Sequence, residues 1–133
     1  MNRPNDDTIR EGYEQFNRGD FDGWLEFLDP EVELREEYLA PDAGVYHGHA
    51  GVRQWLVSGG QAIGGVQFEI GRFVADTPDA TVVEVIASGR GVESGAAFRT
   101  RLFHLMRWRN DRIVLLASYG EEDEALEAAG LSR

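Results

Sequence analysis

The sequence contains no cysteine. Disulfide bonds, zinc sites built on thiolates and cysteine nucleophiles are therefore all excluded. It also contains no apolar run that approaches the ~20 residues a membrane-spanning helix needs. Residues 1–7 lack the apolar core of a signal peptide. We therefore expect a soluble, cytoplasmic protein.

Positive charge is also scarce, because 13 basic residues stand against 24 acidic ones and give a formal net charge of −11 at pH 7. Such a charge repels nucleic acid and anionic membranes, so neither is expected as a partner. One basic strip exists on one face of a predicted strand: Arg99, Arg101, Arg107 and Arg109. Because many acids lie nearby, we interpret this strip as a solvated or subunit-facing surface. No repeat, low-complexity run or linker interrupts the chain, which predicts one domain over 1–133.

The most informative stretch runs from Phe98 to Tyr119. Residues 98–109 alternate with a period of two, which predicts a strand with one buried face. That face carries Phe98, Thr100, Leu102, His104, Met106 and Trp108. His104 is its single titratable group. After a turn at Asn110-Asp111, a second strand is expected to place four side chains on one face: Ile113, Leu115, Ala117 and Tyr119. The hairpin is predicted to form one wall of a ligand pocket.

The remaining patterns predict helices over 7–18, 21–28 and 50–58, with a short acidic helix over 121–130. Strands are predicted over 31–38, 66–76, 81–91, 97–109 and 112–120. Thr8 and Glu11 fit a capping box at the start of the first helix. Glycines at 59, 60, 64 and 65 predict a flexible link before the later strands. This order of elements predicts an α+β fold, a conical barrel whose strongly curved, mostly antiparallel sheet wraps around the helices and leaves a cavity.

Three short segments form a recognisable series: residues 17–22 (NRGDFD), 28–33 (LDPEVE) and 46–53 (YHGHAGVR). The first two resemble the opening of the nuclear-transport-factor-2-like superfamily, which includes a SnoaL-like branch, and the third looks like the third-helix entry of that superfamily. Residues 104–108, 111–114 and 124–126 look like the end of the SnoaL-like branch. The resemblance implies a conical, cystatin-like α+β barrel, usually dimeric, with a pocket between sheet and helices. Its members include polyketide cyclases, ketosteroid isomerases, epoxide hydrolases, dehydratases and non-catalytic binders, so the fold alone does not settle activity.

A comparison with the steroid isomerases of the superfamily predicts a different chemistry here. By counting from Asp29, the place of their general base is held by Arg35, and a guanidinium cannot abstract a proton. Tyr13 lies one residue from the place of their oxyanion-binding tyrosine. Their buried donor carboxyl corresponds to His104. The resemblance therefore does not imply standard steroid isomerisation.

The site hypothesis gives His104 and Arg35 catalytic roles, with His104 transferring a proton and Arg35 binding a ligand oxygen. Ligand-binding roles are predicted for Tyr13, Trp55 and Tyr119, and all five side chains are expected to converge on one cavity. Two alternatives stay open. His104 is either a general acid–base or a structural hydrogen-bonding residue. Residues 33, 35 and 37 (Glu, Arg, Glu) either form an internal ion pair or are solvated while Val32 and Leu34 face the core.

No metal and no cofactor is predicted. His47 and His49 could chelate a metal with His104 as a third ligand, but no carboxylate is fixed close enough by its spacing to complete such a site.

The predicted function is a small-molecule pocket protein, interpreted as a cofactor-free isomerase or cyclase that acts on a small apolar carbonyl or polycyclic compound. The alternative is a non-catalytic binding module or a structural dimer of the same fold. A homodimer is predicted through the convex sheet face, where four apolar side chains would otherwise form an exposed patch. These are Phe103, Leu105, Val114 and Leu116.

Overall fold

The computed structural model describes residues 5–36, 44–91 and 95–131. Its elements in chain order are α1 (Asp6–Asn17), α2 (Phe21–Leu25), β1 (Leu28–Arg35), β2 (Val45–His47), α3 (Gly48–Ala62), β3 (Ile63–Asp76), β4 (Ala80–Gly91), β5 (Ala97–Arg109), β6 (Arg112–Tyr119) and α4 (Glu122–Ala128). The six strands form one curved sheet in the order β2-β1-β6-β5-β4-β3, which does not close into a complete barrel. Every neighbouring pair is antiparallel except β1 and β6. The predicted α+β class with a curved, mostly antiparallel sheet is confirmed.

The long hairpin of β5 and β6 follows the predicted turn. Asn110 and Asp111 both adopt positive φ angles, of 51° and 64°, as a tight two-residue hairpin turn requires. Arg109 and Arg112 pair on either side of this turn. β5 keeps its predicted alternation, so Leu102, His104 and Met106 point to the face that packs against α1, α2 and α3. We call this the inner face of the sheet.

β6 departs from the predicted alternation because it contains a β-bulge. Trp108 pairs with Ile113, but the preceding Arg107 pairs with Leu115, which leaves Val114 as an extra residue. A one-residue insertion exchanges the two faces of a strand. Ile113 therefore lies on the inner face, whereas Leu115 lies on the other side, which we call the outer face.

Each face of the sheet has its own hydrophobic core. The larger core joins the inner face to α1, α2 and α3, through residues such as Phe16, Trp24 and Val52. The smaller one lies on the outer face, beneath Ala125 and Leu126 of α4. Burial of apolar side chains on both faces is the main contribution that fixes four helices on a single sheet.

The homodimer prediction assumed an exposed apolar patch on the convex sheet face, and the outer core covers part of this patch. Phe103 and Leu105 are only 3% and 1% exposed because α4 covers them. Leu116 belongs to the inner core, since it follows the bulge. These residues therefore do not form an exposed apolar patch, and that expectation is wrong. The homodimer itself stays a prediction.

Three local expectations are also corrected. α1 begins at Asp6 with Asn5 as its N-cap and without a side-chain capping bond, so Thr8 lies inside the helix instead of capping it. α3 continues to Ala62 and β3 begins at Ile63, so the expected flexible glycine link is occupied by a helix and a strand. β1 begins at Leu28 and ends at Arg35; of the rest of the predicted strand over 31–38, residues 37 and 38 lie outside the described residues. Within the described ranges, no helix is both long and apolar enough to cross a membrane.

Candidate active site: a cavity between the helices and the inner sheet face

A cavity lies between α1, α2 and α3 and the inner face of the sheet. The space between its lining atoms and the open solvent at its mouth together amount to about 550 Å³. Six aromatic side chains line it: Tyr13, Phe16, Trp24, Phe27, Trp55 and Phe68. Leu34, Met106 and Ile113 are among its aliphatic lining residues. An apolar, aromatic cavity with few polar groups is the usual form of a site for a small organic ligand.

The aromatic wall is built around Phe16 of α1. Its ring contacts Trp24 edge-on with a centroid distance of 5.0 Å, and it also packs against Phe68 at 5.2 Å. Trp55 of α3 lies 6.4 Å from the same ring. Because these residues come from three helices and one strand, the wall fixes the helices against the sheet and at the same time presents flat apolar surfaces to the cavity.

Tyr13 and His104 form a hydrogen-bonded pair inside the cavity. The Tyr13 hydroxyl, from α1, lies 2.5 Å from Nδ1 of His104, on β5. The two rings are almost parallel, with centroids 5.8 Å apart, and the Phe68 ring packs against His104 in a T-shaped contact. His104 is only 4% exposed. The imidazole is thus held by one polar contact and by aromatic packing.

Burial keeps both members of this pair uncharged. It lowers the pKa of His104 to about 3, because a buried imidazolium loses its hydration. Burial also raises the pKa of Tyr13 well above its usual value of 10.0, and the negative charge of Glu36 adds to that increase. At neutral pH the pair is therefore a phenol hydrogen-bonded to a neutral imidazole. This hydrogen bond can form in two ways: the Tyr13 hydroxyl donates to Nδ1, or Nδ1 carries a proton and donates to the hydroxyl oxygen. In the second arrangement the hydroxyl can donate its own proton to a ligand.

Glu36 is the third titratable residue of the cavity lining, and the sequence interpretation missed it. It follows β1 directly, is 3% exposed, and accepts a hydrogen bond of 2.5 Å from the Ser118 hydroxyl. Arg35 pairs with Ala117 across the parallel strands, and Ala117 pairs with Leu105. The residues beside these three, on the same side of the row, therefore form a second row across the same segments: Glu36, Ser118 and His104. A carboxylate, a hydroxyl and an imidazole thus lie side by side on the inner face.

A sequence signal for Glu36 exists. Val32 and Leu34 are buried residues of β1 at alternate positions, and Leu34 lines the cavity. Continuing their alternation by two residues reaches Glu36. The count from Asp29 instead pointed to Arg35, one residue earlier and on the opposite face.

The structure brings together three of the five predicted site residues: Tyr13, Trp55 and His104. Arg35 is not among the lining residues; its side chain is 54% exposed and pairs with Glu33 on the outer face. The prediction that Arg35 faces the cavity is therefore wrong, because Leu34 and Glu36 occupy the inward positions on either side of it. Glu37, the third member of the predicted charged group, lies outside the described residues.

The predicted position of Tyr119 is wrong as well. It pairs with Phe103 and packs against the outer core, on the side of the sheet away from the cavity. The bulge at Val114 is the physical reason, because it exchanges the faces of all later residues of β6. Ser118 occupies the inward place instead.

The three histidines do not meet at one place. A ring nitrogen of His49 bonds to the backbone carbonyl of Leu28 at 2.8 Å, while His47 is exposed on β2. Among the residues that the structure describes, no group of three histidine or acidic side chains is placed to hold a metal ion.

A buried carboxylate next to a hydroxyl and a neutral imidazole can transfer a proton and donate hydrogen bonds within an apolar cavity. The fold thus brings groups suited to acid–base chemistry together in one mostly apolar cavity. Residues 9–116 match the family model of the SnoaL-like domain. The chain therefore belongs to the SnoaL-like domain family, as its sequence motifs predict.

Solved structures show the same fold. An NTF2-like protein of unknown function from Burkholderia pseudomallei is 25% identical and superimposes with a TM-score of 0.79, covering 92% of this chain and 95% of its own. A protein of Sinorhizobium meliloti assigned to the polyketide cyclases is 19% identical, with a TM-score of 0.69 and coverage of 85% and 94%.

The epoxide hydrolase/cyclase-like enzyme SalBIII, which has a role in pyran ring formation in the polyether salinomycin, is 16% identical. Its TM-score is 0.72, and the match covers 88% of this chain and 90% of SalBIII. No curated protein sequence matches this chain. At these identities the structural likeness shows the fold and does not determine the reaction.

Proposed function

We propose that this protein is a cofactor-free enzyme that transfers a proton on a small, largely apolar carbonyl compound, as isomerases and cyclases do. The observation that carries the proposal is the presence of three titratable groups, on Tyr13, Glu36 and His104, in one mostly apolar cavity. Each comes from a different part of the chain, and each faces the same space. Two solved relatives of the same fold are described as a polyketide cyclase and a cyclase-like enzyme, which supports the reaction class.

In the proposed step, the Glu36 carboxylate removes a proton from the carbon next to the carbonyl group. The C–H bond breaks, its electron pair forms the C=C bond of an enolate, and the carbonyl electron pair moves to oxygen. The proton stays on Glu36 until it is returned to the same carbon or to another carbon of the conjugated system. No electrons leave the substrate, so no redox cofactor is consumed.

Tyr13 is the group proposed to donate a hydrogen bond to the enolate oxygen. Its pKa is raised, so the hydroxyl keeps its proton at neutral pH and is a donor. This role replaces the one predicted for Arg35, which lies on the outer face. The sequence also contains no lysine, so no lysine side chain is present to activate the carbonyl as a Schiff base.

His104 is proposed to position Tyr13 rather than to act as the base. A group whose pKa is about 3 is a very weak base at neutral pH. Its bond to the Tyr13 hydroxyl fixes the orientation of that hydroxyl in the cavity. The proton-transfer role predicted for His104 from the sequence is therefore assigned to Glu36 in this proposal.

The test is the exchange of α-hydrogen for deuterium in 2-tetralone, a flat bicyclic ketone, followed by NMR in D₂O. We expect the protein to accelerate the exchange, and we expect Glu36→Gln to reduce this acceleration by about 100-fold or more. Glu33→Gln is the matched control, because Glu33 lies on the same strand segment but on the outer face. Exchange that is no faster than in buffer although the ketone binds, or undiminished exchange in Glu36→Gln, would overturn the proposal.

The alternative is a non-catalytic binding protein. The aromatic wall around Phe16 favours it, because stacking of a flat ligand between these rings requires no proton transfer. Binding of 2-tetralone without accelerated exchange is the result that this alternative predicts.

A further inference from the structure

We infer that the cavity accepts ligands that are uncharged in the part it encloses and rejects ligands that carry a carboxylate or a phosphate there. The inference rests on the proposed function in that it defines the substrate class of the same cavity. It concerns binding, however, and can be tested without any turnover.

The charges of the lining residues carry this inference. Glu36 is the acidic side chain of the described lining, and Tyr13 and His104 are uncharged at neutral pH because of their shifted pKa values. Apart from its three histidines, all basic residues of the sequence are arginines. None of the arginines that the structure describes lines the cavity. Arg107 is half-buried, and the other described arginines are exposed to solvent. With Glu36 ionised, as the proposed reaction requires, the described lining offers an anion one negative neighbour and no positive one.

The environment increases the effect of this single charge. The cavity walls are mostly aromatic and aliphatic, and charges interact more strongly across such a medium than across water. The effect already reaches a neighbour, because the charge of Glu36 contributes to the raised pKa of Tyr13. A ligand anion would also have to lose its hydration on entry, without a cation to replace it. The net charge of −11 opposes the approach of anions from solution as well.

Three compounds with one bicyclic frame provide the test: 2-tetralone, which is neutral; 1,2,3,4-tetrahydro-2-naphthoate, which is anionic at pH 7.5; and 2-aminotetralin, which is cationic. Their dissociation constants are measured by isothermal titration calorimetry at low and at high salt. We expect the anion to bind about tenfold or more weakly than the ketone. The amine is expected to bind at least as well as the anion, because Glu36 attracts it.

Glu36→Gln tests whether this carboxylate is the cause. The variant has nearly the same shape without the charge. The ratio of the anion's dissociation constant to that of the ketone should therefore fall by about tenfold, whereas Glu33→Gln should leave this ratio unchanged. An anion that binds as tightly as the ketone, an unchanged ratio in Glu36→Gln, or no binding by any of the three compounds would overturn the inference. If instead the ketone is selected but its α-hydrogen does not exchange, the proposed reaction fails and the inference on charge stands.

Discussion

The hydrogen bond between Tyr13 and His104 allows a quantitative test of the site. Tyr13→Phe removes only the hydroxyl, and it leaves Nδ1 of a residue that is buried without its present partner. Leaving a buried polar group unsatisfied costs about 1–3 kcal/mol. His104→Leu removes the other partner and should cost a similar amount. Removing both polar groups leaves apolar surfaces of similar shape, so the double variant should be destabilised by less than the sum of the two single variants.

Urea unfolding followed by circular dichroism measures the four free energies of this cycle. We expect a coupling free energy of about 1–2 kcal/mol between the two positions, with similar urea dependence of all variants. Tyr119→Phe is the control, because this tyrosine lies on the outer face; its effect should stay within about 0.5 kcal/mol. Additive effects at positions 13 and 104 would show that this hydrogen bond does not stabilise the folded state.

Three further predictions follow from the same contacts. Since the pKa of His104 falls from 6.5 to about 3 in the folded protein, the unfolded chain binds the proton first. The free energy of unfolding, measured by urea titration at each pH, should therefore decrease as the pH falls from about 6.5 towards 3. In His104→Leu the decrease should be smaller, and the same pH dependence in both proteins would contradict this. Ser118→Ala removes the hydroxyl that donates to Glu36, and it should slow deuterium exchange of 2-tetralone roughly tenfold while its affinity for the ketone stays the same. Unchanged exchange would show that Glu36 needs no such support. We also expect a homodimer through the part of the outer sheet face that α4 leaves uncovered, and a monomer in light scattering at micromolar concentration would refute it.

The sequence predicted those features that depend on local periodicity. The alternation of β5 correctly placed Leu102, His104 and Met106 on the inner face, and the Asn110-Asp111 turn correctly marked the hairpin. Such patterns are readable because each residue's face follows directly from its neighbours.

Features that depend on an irregularity or on distant contacts were not predicted. The bulge at Val114 leaves no clear mark in a run of apolar residues, and so Tyr119 was placed on the wrong face. The burial of Phe103 and Leu105 depends on where α4 docks, which no local pattern specifies. Glu36 was missed because an acidic residue at the end of a strand is usually solvated, and only the assembled cavity shows that this one is buried.

The replacement of a donor carboxyl by His104 has an electrostatic consequence for the whole site. The sequence resemblance implies a carboxyl at this position in the steroid isomerases, and a second carboxyl close to Glu36 would have to hold its proton against ionisation at neutral pH. A buried imidazole has no such requirement, because its neutral form is the stable one down to a pH of about 3. His104 can thus bind the Tyr13 hydroxyl without adding a charge to the cavity. When Glu36 is ionised, as its proposed role as base requires, it is the single charge of the described lining, and this separates its role from the hydrogen-bonding role of the Tyr13–His104 pair.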